Sequence, residues 1–162
     1  MSGTGIAIAR ASEADIAFIM ATERLPGNEG LVGRWERDEH DRTFADPSNA
    51  YFVGSIDGKP AGFVIVQHWT PRDGGTLIRR IIVADKAKQI GRRLLSRVID
   101  AIFAETDASW VWLNVFPHNE RGQRAYASIG FRFEDRAKYP GSGGDKALLM
   151  VLQKADWRGG AR

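Results

Sequence analysis

Residues 76–95 read TLIRRIIVADKAKQIGRRLL, and the succession of residue types in that stretch decides the fold. Thr76 to Val83 is rich in β-branched side chains and predicts a strand. Ile90, Leu94, Leu95, Val98, Ile99, Ile102 and Phe103 then recur at helical spacing and predict an amphipathic helix. Between them lies a short basic turn. The first amides of a helix have no internal acceptor and point along the positive end of its dipole, so a strand, a tight turn and a helix in succession suit phosphate groups. Gly91 would let an anion approach the backbone, and Lys88, Arg92 and Arg93 surround Gln89 and Ile90 with positive charge. An ordinary strand-to-helix crossover has the same outline. The spacing matches neither Gly-x-x-x-x-Gly-Lys-Ser/Thr nor Gly-x-Gly-x-x-Gly, which argues against ATP and NAD.

Toward the amino end, Tyr51 to Ile56 and Pro60 to Trp69 flank Asp57-Gly58 and predict a β-hairpin. Arg72-Asp73-Gly74-Gly75 leads into the Thr76 strand, so these three strands form an antiparallel meander. Further back, Ile6 to Ala9 is a short strand, and Ser12 caps a helix carrying Ile16, Phe18, Ile19 and Met20 that Pro26 and Gly27 end. The polar stretch from Asn28 to Asn49 predicts a short helix and a mobile loop anchored by Trp35.

Toward the carboxyl end, Trp110 to Phe116 predicts a strand and Asn119 to Ile129 a helix stopped by Gly130. Phe131 onward and Ala147 to Leu152 predict two more strands joined by the glycine-rich loop at residues 140–145. Residues 1–156 are expected to form a single domain and 157–162 a flexible tail.

Composition narrows the function classes. The chain has 162 residues, no cysteine and three histidines at unrelated spacings, which excludes disulfides and thiolate nucleophiles and argues against a metal site. No run approaches the roughly 20 apolar residues of a membrane span, and MSGTGIAIAR lacks a basic region followed by a long apolar core, so no membrane partner and a cytoplasmic location are expected. The net charge of +3 is unevenly spread. Basic residues concentrate from Arg79 to Arg97, whereas Glu29, Glu36, Asp38, Glu39 and Asp41 form an acidic cluster, a split suited to an anionic cofactor and a cationic substrate. Both clusters can also be plain solvated surface.

Asn119 and Tyr126 stand seven residues apart on one predicted helix, about two turns, so their side chains can project on one side. Asn119 offers an amide and Tyr126 a phenol; a helix cap and a packing residue are the structural alternatives. Together with Asn114-Val115 and Gly130-Phe131, this segment resembles the later signature of the GNAT-type N-acetyltransferases. Lys86-Ala87-Lys88-Gln89-Ile90-Gly91 is similar to that family's Arg/Gln-x-x-Gly-x-Gly/Ala pyrophosphate motif, with Lys86 and Gln89 as departures. The resemblance runs from about Ile6 to Leu152.

It implies an α/β (α+β) fold: a mixed, mostly antiparallel central sheet whose Thr76–Val83 and Trp110–Phe116 strands run parallel but splay apart, flanked by helices. It further implies that acetyl-CoA enters that gap and leaves as CoA. Ile81, Ile82 and Val83 would bond to the pantetheine arm, and the amides of Lys88, Gln89, Ile90, Gly91, Arg92 and Arg93 would hold the pyrophosphate. Asn119 would bond to the cofactor and Tyr126 would protonate the departing thiolate. A neutral amine then attacks the thioester directly in a ternary complex, which agrees with the absence of cysteine.

Many relatives carry a glutamate early in the strand before the phosphate turn, where this chain has Leu77. Glu29, Glu36, Glu39, His40, His68, Asp73, His118 and ordered water are candidates for the base. The acceptor is expected to be a primary amine of a small cationic molecule, with a peptide amino terminus as an alternative and Trp35, Tyr51 and Trp69 as an aromatic wall. A non-catalytic acyl-CoA sensor is the main competing reading. A nucleic-acid-binding module is the other, disfavoured because no aromatic residues interleave with the basic run. Monomer and homodimer both fit.

Overall fold

The computed structural model describes residues 5–26, 35–84, 90–139, 142 and 146–158. In chain order the elements are β1 (Ala7–Arg10), α1 (Ile16–Glu23), α2 (Arg37–Ala45), β2 (Asn49–Ile56), β3 (Lys59–Arg72), β4 (Gly75–Val83), α3 (Ile90–Glu105), β5 (Trp110–Val115), α4 (Glu120–Ile129), β6 (Arg132–Phe133) and β7 (Leu148–Gln153). They form one sheet of order β1-β2-β3-β4-β5-β7-β6, in which β4 and β5 are parallel and every other neighbouring pair is antiparallel. The mixed, mostly antiparallel sheet flanked by helices is the architecture the sequence implied.

Two-residue turns set the meander. Asp57 and Gly58 (φ 52° and 79°) join β2 to β3, and Asp73 and Gly74 (φ 54° and 85°) join β3 to β4. Left-handed angles at both central residues match the twist of the flanking strands, which is why Asp-Gly is favoured there. Gly130 takes φ 129° after α4, and its amide donates to the carbonyls of Tyr126 and Ala127. Beyond Phe131 the expected strand is only two residues long, because the Asp135 carboxylate accepts from Ala137 N–H and turns the chain into a 3-10 segment.

The core lies mainly between α3 and the sheet. Leu94, Val98, Ile99 and Ile102 are fully buried among Phe52, Val64, Ile78, Val111, Leu113 and Met150. The helix sits close because two glycines face each other across β2 and β3. A Cβ at Gly54 would meet Leu94 Cδ1 at 2.7 Å, and one at Gly62 would meet the Ile82 carbonyl at 2.8 Å.

The opposite face carries two separate clusters. Ile19, Trp35, Tyr51, Phe63, Ile65 and Ile82 pack beneath α1 and α2, whereas Leu77, Trp112, Leu149 and Val151 pack together near the start of β4. Strand residues alternate faces, so adjacent Tyr51 and Phe52 belong to different layers. Trp69 packs on Phe52, ring centroids 5.7 Å apart, on the α3 side. The sheet therefore separates Trp69 from Trp35 and Tyr51, and the three do not form one aromatic wall. Trp157, the first residue of the expected tail, is half-buried and donates its indole N–H to Asp100 at 2.8 Å.

Candidate active site

The central parallel pair is short. β4 and β5 are in register at Gly75–Trp110, Thr76–Val111 and Leu77–Trp112, and no pairing follows. From Ile78 onward β4 has a partner only in β3, which leaves the backbone groups on its other edge without a strand neighbour. The expected splay is present, and Ile81, Ile82 and Val83 line it. Ile81 is half-buried, while Ile82 and Val83 are buried.

One further irregularity shapes this strand. Ile65 faces Arg80, but Val66 faces Ile78, so Arg79 is an extra residue in β4. Such a bulge reverses which side the following residues face. Ile78 points to the α3 core, whereas Arg80 and Ile82 point to the layer under α1 and α2.

The 16-residue α3 begins at Ile90, immediately beyond this open strand end. Ile90 is buried in the core, Gly91 is half-buried, and Arg92 and Arg93 are exposed in the first turn. Among the described residues, a Cβ at Gly91 would touch only Val83 Cγ1 at 3.8 Å, an ordinary contact. Lys88 and Gln89 lie outside the described residues, with the rest of 85–89.

Asn119 is the N-cap of α4. Its Oδ1 accepts from Gly122 N–H at 3.0 Å, so the cap role is real, and its Nδ2 makes no hydrogen bond among the described residues. Tyr126 sits two turns on, half-buried, its ring edge-on to Phe131 with centroids 6.1 Å apart. Its hydroxyl has no hydrogen bond among the described residues. Burial of the ring pushes the phenol up to about 12.

The candidate bases fare differently. Leu77 is buried against Trp112, Leu149 and Val151. His40 is fully buried with both ring nitrogens engaged, which closes it to substrate. Glu36 lies 3.8 Å from Arg24, and exposed Asp73 occupies the β3–β4 turn. His118 is exposed, its ring stacked on Phe116 at 5.5 Å. His68 is half-buried with φ 60° and a carbonyl that accepts from Thr76 Oγ1 at 2.8 Å; desolvation, then Arg72, lowers its pKa, which favours the neutral imidazole. Glu39 is partly exposed, and Glu29 lies outside the described residues.

Three of the acidic cluster's carboxylates are paired, Glu39 has no ion pair among the described residues, and Glu29 lies outside them. Asp41 pairs with Arg37 at 2.9 Å, Asp38 with Arg42 at 3.5 Å and Glu36 with Arg24 at 3.8 Å. Exposed pairs of this kind largely cancel at a distance.

A buried polar group beside the splay was not foreseen. Glu23, fully buried at the end of α1, pairs with Arg80 and bonds to His40 Nε2 at 2.9 Å; His40 Nδ1 meets the Tyr51 hydroxyl at 2.9 Å. With the ring neutral, Nε2–H donates to the carboxylate and Nδ1 accepts from the phenol. Desolvation, followed by the Glu23 charge, drives the Tyr51 pKa well above its ordinary value. The Arg80 guanidinium also lies 4.5 Å from the Trp35 ring centroid.

Comparison with known proteins agrees with this geometry. The sequence model of the Acetyltransferase (GNAT) family matches residues 18–131. A comparison with curated proteins finds no match. Among solved structures, the chain is similar to the ribosomal-protein-S18-alanine N-acetyltransferase from Escherichia coli, with 23% identity over 91% of this chain and 93% of that one and a TM-score of 0.71. It is also similar to the aminoglycoside acetyltransferase AAC(6')-Ib in complex with coenzyme A and kanamycin, with 17% identity over 93% and 96% of the two chains and a TM-score of 0.75. Spermidine N-acetyltransferase from Vibrio cholerae, in complex with CoA and spermine, has 16% identity over 94% and 97% of the two chains and a TM-score of 0.74. Among the described residues no helix is long and apolar enough to cross a membrane, and no group of three acidic, histidine or cysteine side chains could hold a metal ion.

Proposed function

Because the chain belongs to the GNAT acetyltransferase family, we propose that it moves the acetyl group of acetyl-CoA directly to a primary amine held in the same cleft. The observation that carries this reading is the three-pair β4–β5 ladder, which opens beside the start of α3. The residues fit such a ligand. The open edge of Ile81 to Val83 supplies backbone donors and acceptors to an extended arm, and the amides and guanidinium groups around Ile90 to Arg93 supply positive potential for a pyrophosphate. Lys88 and Gln89 belong to the same proposal.

Bound acetyl-CoA would contribute an activated thioester. Asn119 Nδ2 and the Tyr126 hydroxyl are donors that make no hydrogen bond among the described residues. With its pKa near 12, against about 8.5 for a thiol, the phenol is well placed to donate a hydrogen bond to developing sulfur charge, and final protonation is shared with solvent. Holding both reactants in one cleft would supply much of the acceleration. Leu77 itself carries no base, so water, Glu29, Glu36, Glu39, His68, Asp73 or His118 would take the amine's proton.

The experiment is a calorimetric titration with CoA and acetyl-CoA, followed by a broad amine screen that reads released thiol and product mass. Binding with amine-dependent thiol release is expected. No binding of either ligand would remove the reading. Buried Leu77 favours one other possibility, an acyl-CoA sensor, which would bind the ligand and cleave it slowly with every amine.

A further inference from the structure

Of the arginines around Trp35, one has no counter-charge in contact among the described residues. Three guanidinium groups surround Trp35: Arg80 and Arg79, 4.5 Å and 5.6 Å from its ring centroid, and Arg24, which donates to its carbonyl at 3.1 Å. Arg80 pairs with Glu23, and Arg24 lies within 4 Å of both Glu23 and Glu36. Arg79 has no ion pair and no side-chain hydrogen bond among the described residues, only the Trp35 face.

Its position makes this notable. Arg79 lies two residues beyond Leu77, the last residue of β4 paired to β5, at the fork of the splay and on the side away from α3. Desolvation and Arg80 weigh against its charge and Glu39 favours it, yet a guanidinium remains protonated at any physiological pH. A charge held by an aromatic face, with its planar fork of donors unspent, matches the geometry of a carboxylate.

We propose that Arg79 binds a carboxylate carried by the acceptor, so that the amines taken by this cleft are amino-acid-like rather than polyamines. This rests on the acetyl-transfer reading for its chemistry, though not for its binding prediction. The pairing of Asp38, Asp41 and Glu36 with arginines weakens the electrostatic reason to prefer a polycation, and Arg79 supplies one to prefer an anion.

The test uses matched ligands: amino acids and their carboxamides, dipeptides with free and amidated carboxyl ends, and spermidine. Each is measured by thermal shift in the presence of CoA and by thiol release with acetyl-CoA. The free carboxylate is expected to raise the melting temperature more than its amide and to be used about tenfold or more better in kcat/KM, as charged hydrogen bonds allow. Arg79→Gln is expected to bring that ratio close to one, Arg79→Lys to retain part of it, and Glu39→Gln to increase it. Free amino acids outranking dipeptides, or the reverse, identifies the source of the carboxylate. Preference for amides or spermidine, or an unchanged ratio in Arg79→Gln, overturns the inference. Carboxylate-dependent thermal shifts without transfer to any amine would instead overturn the enzymatic reading and leave this one standing.

Discussion

Arg80 pairs with Glu23 inside the protein across 57 positions of sequence, joining the open strand β4 to the end of α1. Removing one member of a buried pair strands the other's charge and costs about 3–5 kcal/mol, whereas replacing both with apolar side chains is far milder. Glu23→Gln is therefore expected to lower the urea midpoint sharply. The double substitution Glu23→Leu with Arg80→Met should recover only part of the loss, because it leaves the buried His40 Nε2–H without its acceptor.

Tyr126→Phe should leave the urea midpoint nearly unchanged, because the hydroxyl makes no hydrogen bond among the described residues. If this phenol serves the leaving sulfur, kcat should fall by about a hundredfold with little change in acetyl-CoA affinity. Steady-state kinetics and calorimetry on the same preparation separate the two effects.

Both Tyr51 and Tyr126 hold their protons more tightly in the folded state than in an unfolded chain. The unfolded phenols ionise from about pH 10. The stability tied to these protons is thus complete below that value and declines as pH rises toward 12. Urea midpoints measured from pH 8 to 11.5 should fall over the last part of the range, and Tyr126→Phe should make the fall shallower.

His68 shows the opposite sign. Its folded pKa lies below the ordinary histidine value, so its contribution is present above about pH 6.5 and is lost as pH falls below it. Asparagine tolerates φ 60° and valine does not. His68→Asn should keep the fold and flatten the acid side of the stability profile, whereas His68→Val should cost about 1–3 kcal/mol at neutral pH.

Gly62→Ala would place a methyl group 2.8 Å from the Ile82 carbonyl, which is backbone and has little room to give. Overpacking of this kind costs about 1–3 kcal/mol. The shift would fall on Ile82, so CoA affinity should weaken as well, whereas Gly91→Ala should spare the urea midpoint.

Much of the fold could be read directly because its signals are local. Asp-Gly at two turns, the apolar spacing of α3 and the Gly130 stop each act within a few residues, and each appears where expected. The bulge at Arg79 had no such signal, since Ile78 to Ile82 looks like an uninterrupted strand. Glu23 was also illegible: a charge near a helix end usually faces water, and only the folded chain brings it to Arg80 and His40. Of the proposed site, Asn119 and Tyr126 come from motif spacing and the Ile81–Val83 edge from the family resemblance. Arg79 emerged only once its neighbours proved to be neutralised.

The short β4–β5 ladder also gives the molecule a seam. Val83 on one side of it and Val115 on the other belong to the same buried core as α3, which is therefore continuous behind the seam. Leu94, Val98 and Ile102 are buried in that same cluster, so a change in their volume is expected to be felt on both sides of the seam. Substitutions there would strain or relax the seam from within the core while every side chain along the open edge of β4 stays as it is.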